Sequence, residues 1–454
     1  MARRSYQDTS ARDELEPKVS IPGFTDGLIA LVIALVAQLL IAAIQLGLDQ
    51  EQSDFPAPIV AMAAVFLVFS VCGCIIPGLE DFYKKRLRRA TELLNRHMSV
   101  GFTIPVVMLC HGPPSDTHSI GMIIICFVLT GMFNTVLAYF LALPIQCLMV
   151  RYDKHFWVDR DADAEKGAEQ RATKAPKPAK SFCEGSPSGS SLTIGLDTSA
   201  ESSETDEPTQ PATNSRPNTP RTPLRAHLRT WAIQNPILLL SWLLTLTVGL
   251  PLRYRTSNDV ALATLLLAST WLTTLALQTT IKSTPLFPPW ARTLLSGLAN
   301  PVLCTALTLT GYVFADAALS ARPVPAMLAT LQTHTPLSTL ILHQTTTPEN
   351  KMKMNMAAGD LAITLLNSGL VAWGLKLYAH RRHLFSRAGL TVCTVSSMLA
   401  LANLLCGPLF AARGLGVTPA SGALAFAARS VTIALGDPVM GMLGGDGGLN
   451  AAMV

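Results

Sequence analysis

The amino-acid sequence predicts an all-α, polytopic integral membrane protein, and three observations carry that prediction. Of its 454 residues, 49% are apolar and only 14% charged, where soluble domains carry roughly a quarter, and the mean hydropathy is +0.36. The apolar residues gather into runs close to the roughly 20 that a helix needs to cross a hydrocarbon core. A single long stretch of wholly different, polar composition separates the early runs from the later ones. Helices of a soluble domain would instead alternate polar and apolar faces.

Taken in order, residues 1–24 form a polar tail. Its Asp8, Asp13, Glu14 and Glu16 exclude a cleavable signal peptide and speak against an organellar transit sequence. Eight runs then qualify as spans: Leu28 to Leu46, Ala57 to Leu79, Ile120 to Val150, Ile233 to Leu252, Val260 to Ile281, Leu294 to Ala318, Ala357 to Tyr378 and Leu390 to Ala412. Two weaker segments accompany them. Ser99 to Cys110 is short, and Ser421 to Leu443 carries Arg429, Asp437 and Pro438; both read as re-entrant or broken helices, which lipid tolerates where protein or a water-filled cavity covers the freed backbone groups. The total is about ten membrane elements.

Lys and Arg concentrate in short loops on the cytoplasmic or equivalent side. The stretch from Asp81 to Arg89, with Arg96 beyond it, is the strongest such signal, and the loop from Asp49 to Asp54 has no basic residue. An N-inside start follows, which also puts the long loop after Val150 and the basic turn from Lys376 to Arg387 inside. Arg253 and Arg255 run against this scheme, since both fall outside. Residues 151–229 are rich in Ser, Thr, Pro, Glu and Lys, a composition that cannot bury enough apolar surface to offset its ordering entropy. This disordered linker divides a membrane module at 25–150 from a second at 230–454.

Several function classes have no support. The nine cysteines show neither a disulfide framework nor a zinc spacing. No Walker sequence or supported Ser-His-Asp arrangement is present, so an enzyme is not expected, nor any cofactor. The net charge of +5 is accounted for by the inside-facing loops, which leaves no case for nucleic-acid binding.

Discontinuous helices can present N-terminal N–H groups, and with them a cation, to an anion within the membrane. Arg429 is an ionisable residue inside an apolar run, which marks a functional candidate; Ser430 and Thr432 would add hydroxyl donors. A snorkelling arginine is the competing reading. Asp360, at the start of its span, reads first as a helix cap, with proton coupling or pairing with Arg429 as the alternative. Asn367 falls on roughly the same face two turns later. Asn300, which with Pro301 opens another apolar run much as Asn235 and Pro236 do, completes the candidate set.

The order of elements is similar to that of a known family. Residues 25–150, with two spans, a basic stretch and Ala90 to Met98 leading into Phe102 to Val106, resemble the holin-like LrgA/CidA proteins. The second module resembles LrgB/CidB proteins through Asn300-Pro301, the stretch from Ala358 through Asp360, the block from Ala428 to Thr432, and the Gly-rich stretch from Leu443 to Ala452. Ala428 stands where that family has proline and Ile433 where it has a second threonine, and the chain stops at Val454 where the family has at least one more apolar span. A fusion of both modules resembles the plastid glycolate/glycerate translocators and related eukaryotic proteins. The resemblance implies a secondary carrier of small monocarboxylates of the glycolate, glycerate or pyruvate kind, with a small organic anion and the lipid bilayer as partners and homo-oligomerisation open. A holin-like pore or regulatory membrane protein is the alternative. Which membrane holds the chain, plasma or organellar, is open as well.

Overall fold

The computed structural model describes residues 23–51, 55–111, 117–156, 235–256, 259–283, 288–346, 356–431 and 433–453, and every regular element among them is helical. The first half contains α1 (Phe24–Gln50), α2 (Ala57–Ile75), α3 (Arg88–His97), α4 (Thr103–Met108) and the long α5 (Thr117–Phe156). The second contains α6 (Pro236–Thr256), α7 (Asp259–Ser283), α8 (Pro289–Leu298), α9 (Pro301–Ser320), α10 (Val324–Leu331), α11 (Leu337–Thr346), α12 (Ala358–Ala379), α13 (Arg387–Leu409), α14 (Ala420–Leu424), α15 (Ile433–Leu443) and α16 (Gly447–Met453). Eight helical stretches are long and apolar enough to cross a membrane, and they coincide with the eight apolar runs, α8 and α9 together making one of them. The protein is an all-α polytopic membrane protein.

Both weaker segments are interrupted helices. A 3-10 turn, Met98–Phe102, joins α3 to α4, and another, Ala425–Ala428, follows α14. The stretch between Val324 and Thr346, to which the sequence reading assigned no element, holds α10 and α11. At 8 and 10 residues they are too short to register as spans. Helix α5 continues to Phe156, past the expected boundary at Val150. The remainder of the expected linker, and the N-terminal tail through Pro22, lie outside the described residues.

The chain divides into two units, of which one comprises Met1–Leu148 with Asn235–Val454 and the other Met149–Gln234. In the first unit, helices from both halves share a core. Val100, Ile104 and Val107 pack with Leu267 and Trp271 of α7, Leu309 and Val313 of α9, and Met327 and Leu328 of α10. Helix α12 is the most enclosed span, 61% buried against 6% for α2 and 11% for α5, and it touches α1, α2, α3 and α7. Close approach requires glycine there. A Cβ on Gly101 would meet the Ala362 carbonyl oxygen at 2.9 Å, and one on Gly369 would run into Met98. The outer spans show the converse pattern, with Phe133, Tyr139 and Phe140 of α5 more than half exposed, as lipid-facing side chains must be.

At one end, Arg381 donates to Glu80 at 2.8 Å and stacks on Tyr378 at 4.3 Å. The contact brings the basic stretches after α2 and after α12 together, which agrees with the side assigned to both from charge. Hydrogen bonds from Lys84 and Arg381 hold the Glu80 carboxyl at about 2, down from 4.5. A depressed carboxylate stabilises the fold above its unfolded pKa, and that contribution disappears as pH falls through the folded value. The melting temperature of Arg381→Ala in detergent should therefore lie below that of the parent at pH 6, with the gap closing between pH 4.5 and 2. A gap constant over that range would show that the ion pair contributes nothing to stability.

Candidate functional site

Arg429 follows the 3-10 turn and precedes α15. Its guanidinium donates to the Thr130 hydroxyl on α5 and lies 4.2 Å above the Phe127 ring. Gly131 makes room for it, since a Cβ there would sit 2.9 Å from Nη2. A planar cation suits both contacts, and an ammonium cannot reproduce the stacked hydrogen-bonded geometry. Arg429→Lys should accordingly lose about 1 kcal/mol of stability, measured by thermal unfolding in detergent. An unchanged melting temperature would mean that the stacking is energetically idle. Ser430 is exposed, and Thr432 lies outside the described residues.

Asp360 is fully buried and accepts four hydrogen bonds. They come from the Ala357 amide at 3.0 Å, the Thr333 and Thr335 amides at 3.2 Å each, and the Thr333 hydroxyl. The carboxylate thus caps α12 and clasps the loop between α10 and α11 onto the helix start. Among the described residues its partners are amides and a hydroxyl, and no ion pair joins it to Arg429. Asn367 is half-buried and does not line the cavity that Thr364 and Ser368 of the same helix line. Asn300 caps α9, its Oδ1 accepting from the Val302 amide at 3.0 Å, with Pro301 at the first helical position.

Asn300 also lines a hollow of about 480 Å³ that the sequence did not reveal. Its polar lining comprises Arg96, Ser99, Gln278, Lys282 and Asn300, without any Asp or Glu. The N-terminus of α9 adds the positive end of a 20-residue helix. An adjoining groove, lined by Lys282, Arg292, Thr293 and Ser296, extends this basic vestibule. In the sequence, Arg96 marks orientation alone. The usable signal was a pair of cations at helix ends near a proline-opened span.

Trp271 lines the vestibule and also a second cavity of about 450 Å³ between α1, α3, α7 and α12. This one is apolar apart from Gln38, His97, Thr264, Thr364 and Ser368. The Trp271 indole N–H donates to His97 Nδ1 at 3.2 Å, so Trp271 separates the charged vestibule from the apolar cavity while His97 lines the latter. Since Nδ1 accepts from the indole, the ring proton sits on Nε2.

No protein-family model, curated protein or solved structure matches the chain.

Proposed function

We propose that this protein is a secondary carrier of small monocarboxylates and that the vestibule lined by Arg96, Lys282 and the N-terminus of α9 gathers the anion. The observation that carries the reading is this basic, carboxylate-free hollow set beside an apolar cavity that shares Trp271 with it. Cations in a cleft raise the local concentration of anions and speed their capture, in a manner that salt suppresses. Interrupted helices near the cavities, α3 through α4 and α8 through α9, are what a carrier needs to expose backbone donors within the membrane. The resemblance to LrgB/CidB proteins and the plastid translocators agrees with the substrate class. Arg429, held by Thr130 and Phe127, then fastens α5 to the C-terminal helices.

Uptake of labelled glycolate, glycerate and pyruvate into proteoliposomes tests this. Saturable uptake should occur in the parent, and Arg96→Gln combined with Lys282→Gln should raise KM about tenfold at low salt, with the difference shrinking in high salt. Saturable uptake that the double variant leaves unchanged would remove the vestibule from the pathway. An unsaturable leak would instead favour the holin-like pore.

A further inference from the structure

Helix α7 ends at Ser283, α9 begins at Pro301, and α8 lies between them with 10 residues. At about 1.5 Å per residue, the 20 residues of α9 already match a hydrocarbon core of roughly 30 Å. Helix α8 would add roughly 15 Å more, so it sits at the membrane boundary. The chain breaks between the two helices at Asn300, which is extended, and α8 packs on α7. Gln278 of α7 fastens it there, its Nε2 donating to the Ser296 carbonyl at 3.1 Å.

The two sides of α8 are unlike. Trp290, Leu294 and Leu298, spaced by four and hence on one face, are each more than half exposed. Tryptophan is the residue type that collects at membrane–water boundaries. Arg292, Thr293 and Ser296 turn the other way and, with Lys282 from the last turn of α7, line a groove of about 350 Å³ that no Asp or Glu lines. Thr293, one turn from Trp290, lies where the two sides meet. Among the described residues neither Lys282 nor Arg292 joins an ion pair, and Arg292 Nε is buried without a hydrogen-bond partner. Lys282 complements the negative end of α7, an interaction that leaves its three N–H donors free. The Thr293 and Ser296 hydroxyls donate to their own helix at 3.0 Å each, so the two cations are the groove's charged donors.

A small free anion would use the cations and leave the exposed indole and leucines unanswered. A molecule with an anionic head and apolar tails answers both, and a basic polar face opposite Trp and Leu is the pattern of helices that bind anionic lipid. We infer that α8 and the end of α7 form a binding site for an anionic phospholipid, its phosphate held between Lys282 and Arg292 and its acyl chains lying against Trp290, Leu294 and Leu298. A guanidinium meets a phosphate through two parallel hydrogen bonds, which fixes the head more firmly than an ammonium alone would. Arg96, part of the basic stretch that the charge rule sets inside, borders the same hollow as Lys282, so the lipid belongs to the inner leaflet. The site goes beyond the carrier reading and stands without it. Since Lys282 borders both the groove and the vestibule, Arg292 and Thr293 carry the test.

The full chain is reconstituted in phosphatidylcholine vesicles with increasing fractions of brominated phosphatidylglycerol, and brominated phosphatidylcholine serves as the reference quencher. The fluorescence difference between the parent and Trp290→Phe isolates the indole on α8. That signal should show phosphatidylglycerol preferred at low salt, with the preference falling in high salt. Arg292→Gln should lower the preference about fivefold, the factor for one cation at an anionic surface, while Arg292→Lys retains most of it. Thr293→Asp, at an exposed position, sets a carboxylate in the groove and should abolish the preference; thermal unfolding in zwitterionic detergent checks that its fold is intact. Inorganic phosphate at matched ionic strength should not displace the lipid. A parent without preference, or a preference that Arg292→Gln and Thr293→Asp both leave unchanged, would overturn the site. Displacement by inorganic phosphate would make the groove a small-anion site and overturn the lipid assignment. None of these readouts involves uptake, so failure of the lipid site and failure of the carrier are told apart.

Discussion

Asp360→Leu is expected to destabilise the protein by about 1–3 kcal/mol, the range for leaving a buried donor without its acceptor. The carboxylate is wholly enclosed, and its four donors belong to three separate backbone positions and one hydroxyl. Leucine keeps the branching at Cγ but is bulkier and cannot accept, so it leaves the Ala357, Thr333 and Thr335 amides without this acceptor. It would also uncouple the loop between α10 and α11 from the start of α12. Asp360→Asn keeps one oxygen and should lose about half as much, because its N–H₂ must face an N–H donor. Thermal unfolding in detergent, run beside the uptake assay, separates the cap from a proton-coupling role. Stability lost in the order Leu before Asn, with uptake falling only in proportion to folded protein, is the capping result. A stably folded Asp360→Asn without uptake would assign the carboxylate to proton movement instead.

The fold was legible because membrane spans are long, local and continuous. Each of the eight runs needs no knowledge of its neighbours, and the starts at Asn300-Pro301 and Asp360 carry their own cap chemistry. Helices α10 and α11 escaped because short helices are sheltered by neighbours, Met327 and Leu328 by the core shared with α4, α7 and α9. The candidate site was legible only in part. Arg429 stood out as a charge in an apolar run, yet what it touches, Thr130, is 299 positions away in sequence. Arg96 and Lys282 look like ordinary helix-end cations until the fold sets them around the same hollow.

Arg253 had read as an exception to the charge rule, a basic residue on the outer side, and its surroundings explain why. Nε lies 2.7 Å from Asp259 Oδ1 and Nη2 2.8 Å from Asp316 Oδ1, with the three side chains only 10–13% exposed. Arg322, half exposed, approaches Asp259 at 3.7 Å. The arginine's charge is thus cancelled within the protein and does not act on the topology as a free loop cation would. Arg253→Met should cost about 3–5 kcal/mol, since it leaves two buried carboxylates facing one another with only a solvent-exposed arginine nearby. Adding Asp259→Asn and Asp316→Asn should recover most of that loss, because a matched neutral cluster carries no uncompensated charge. The melting temperatures of the single and triple variants decide the point. Recovery in the triple variant identifies the cluster as charge neutralisation that joins α6, α7 and α9, whereas a triple variant as unstable as Arg253→Met would place the arginine's contribution in its packing.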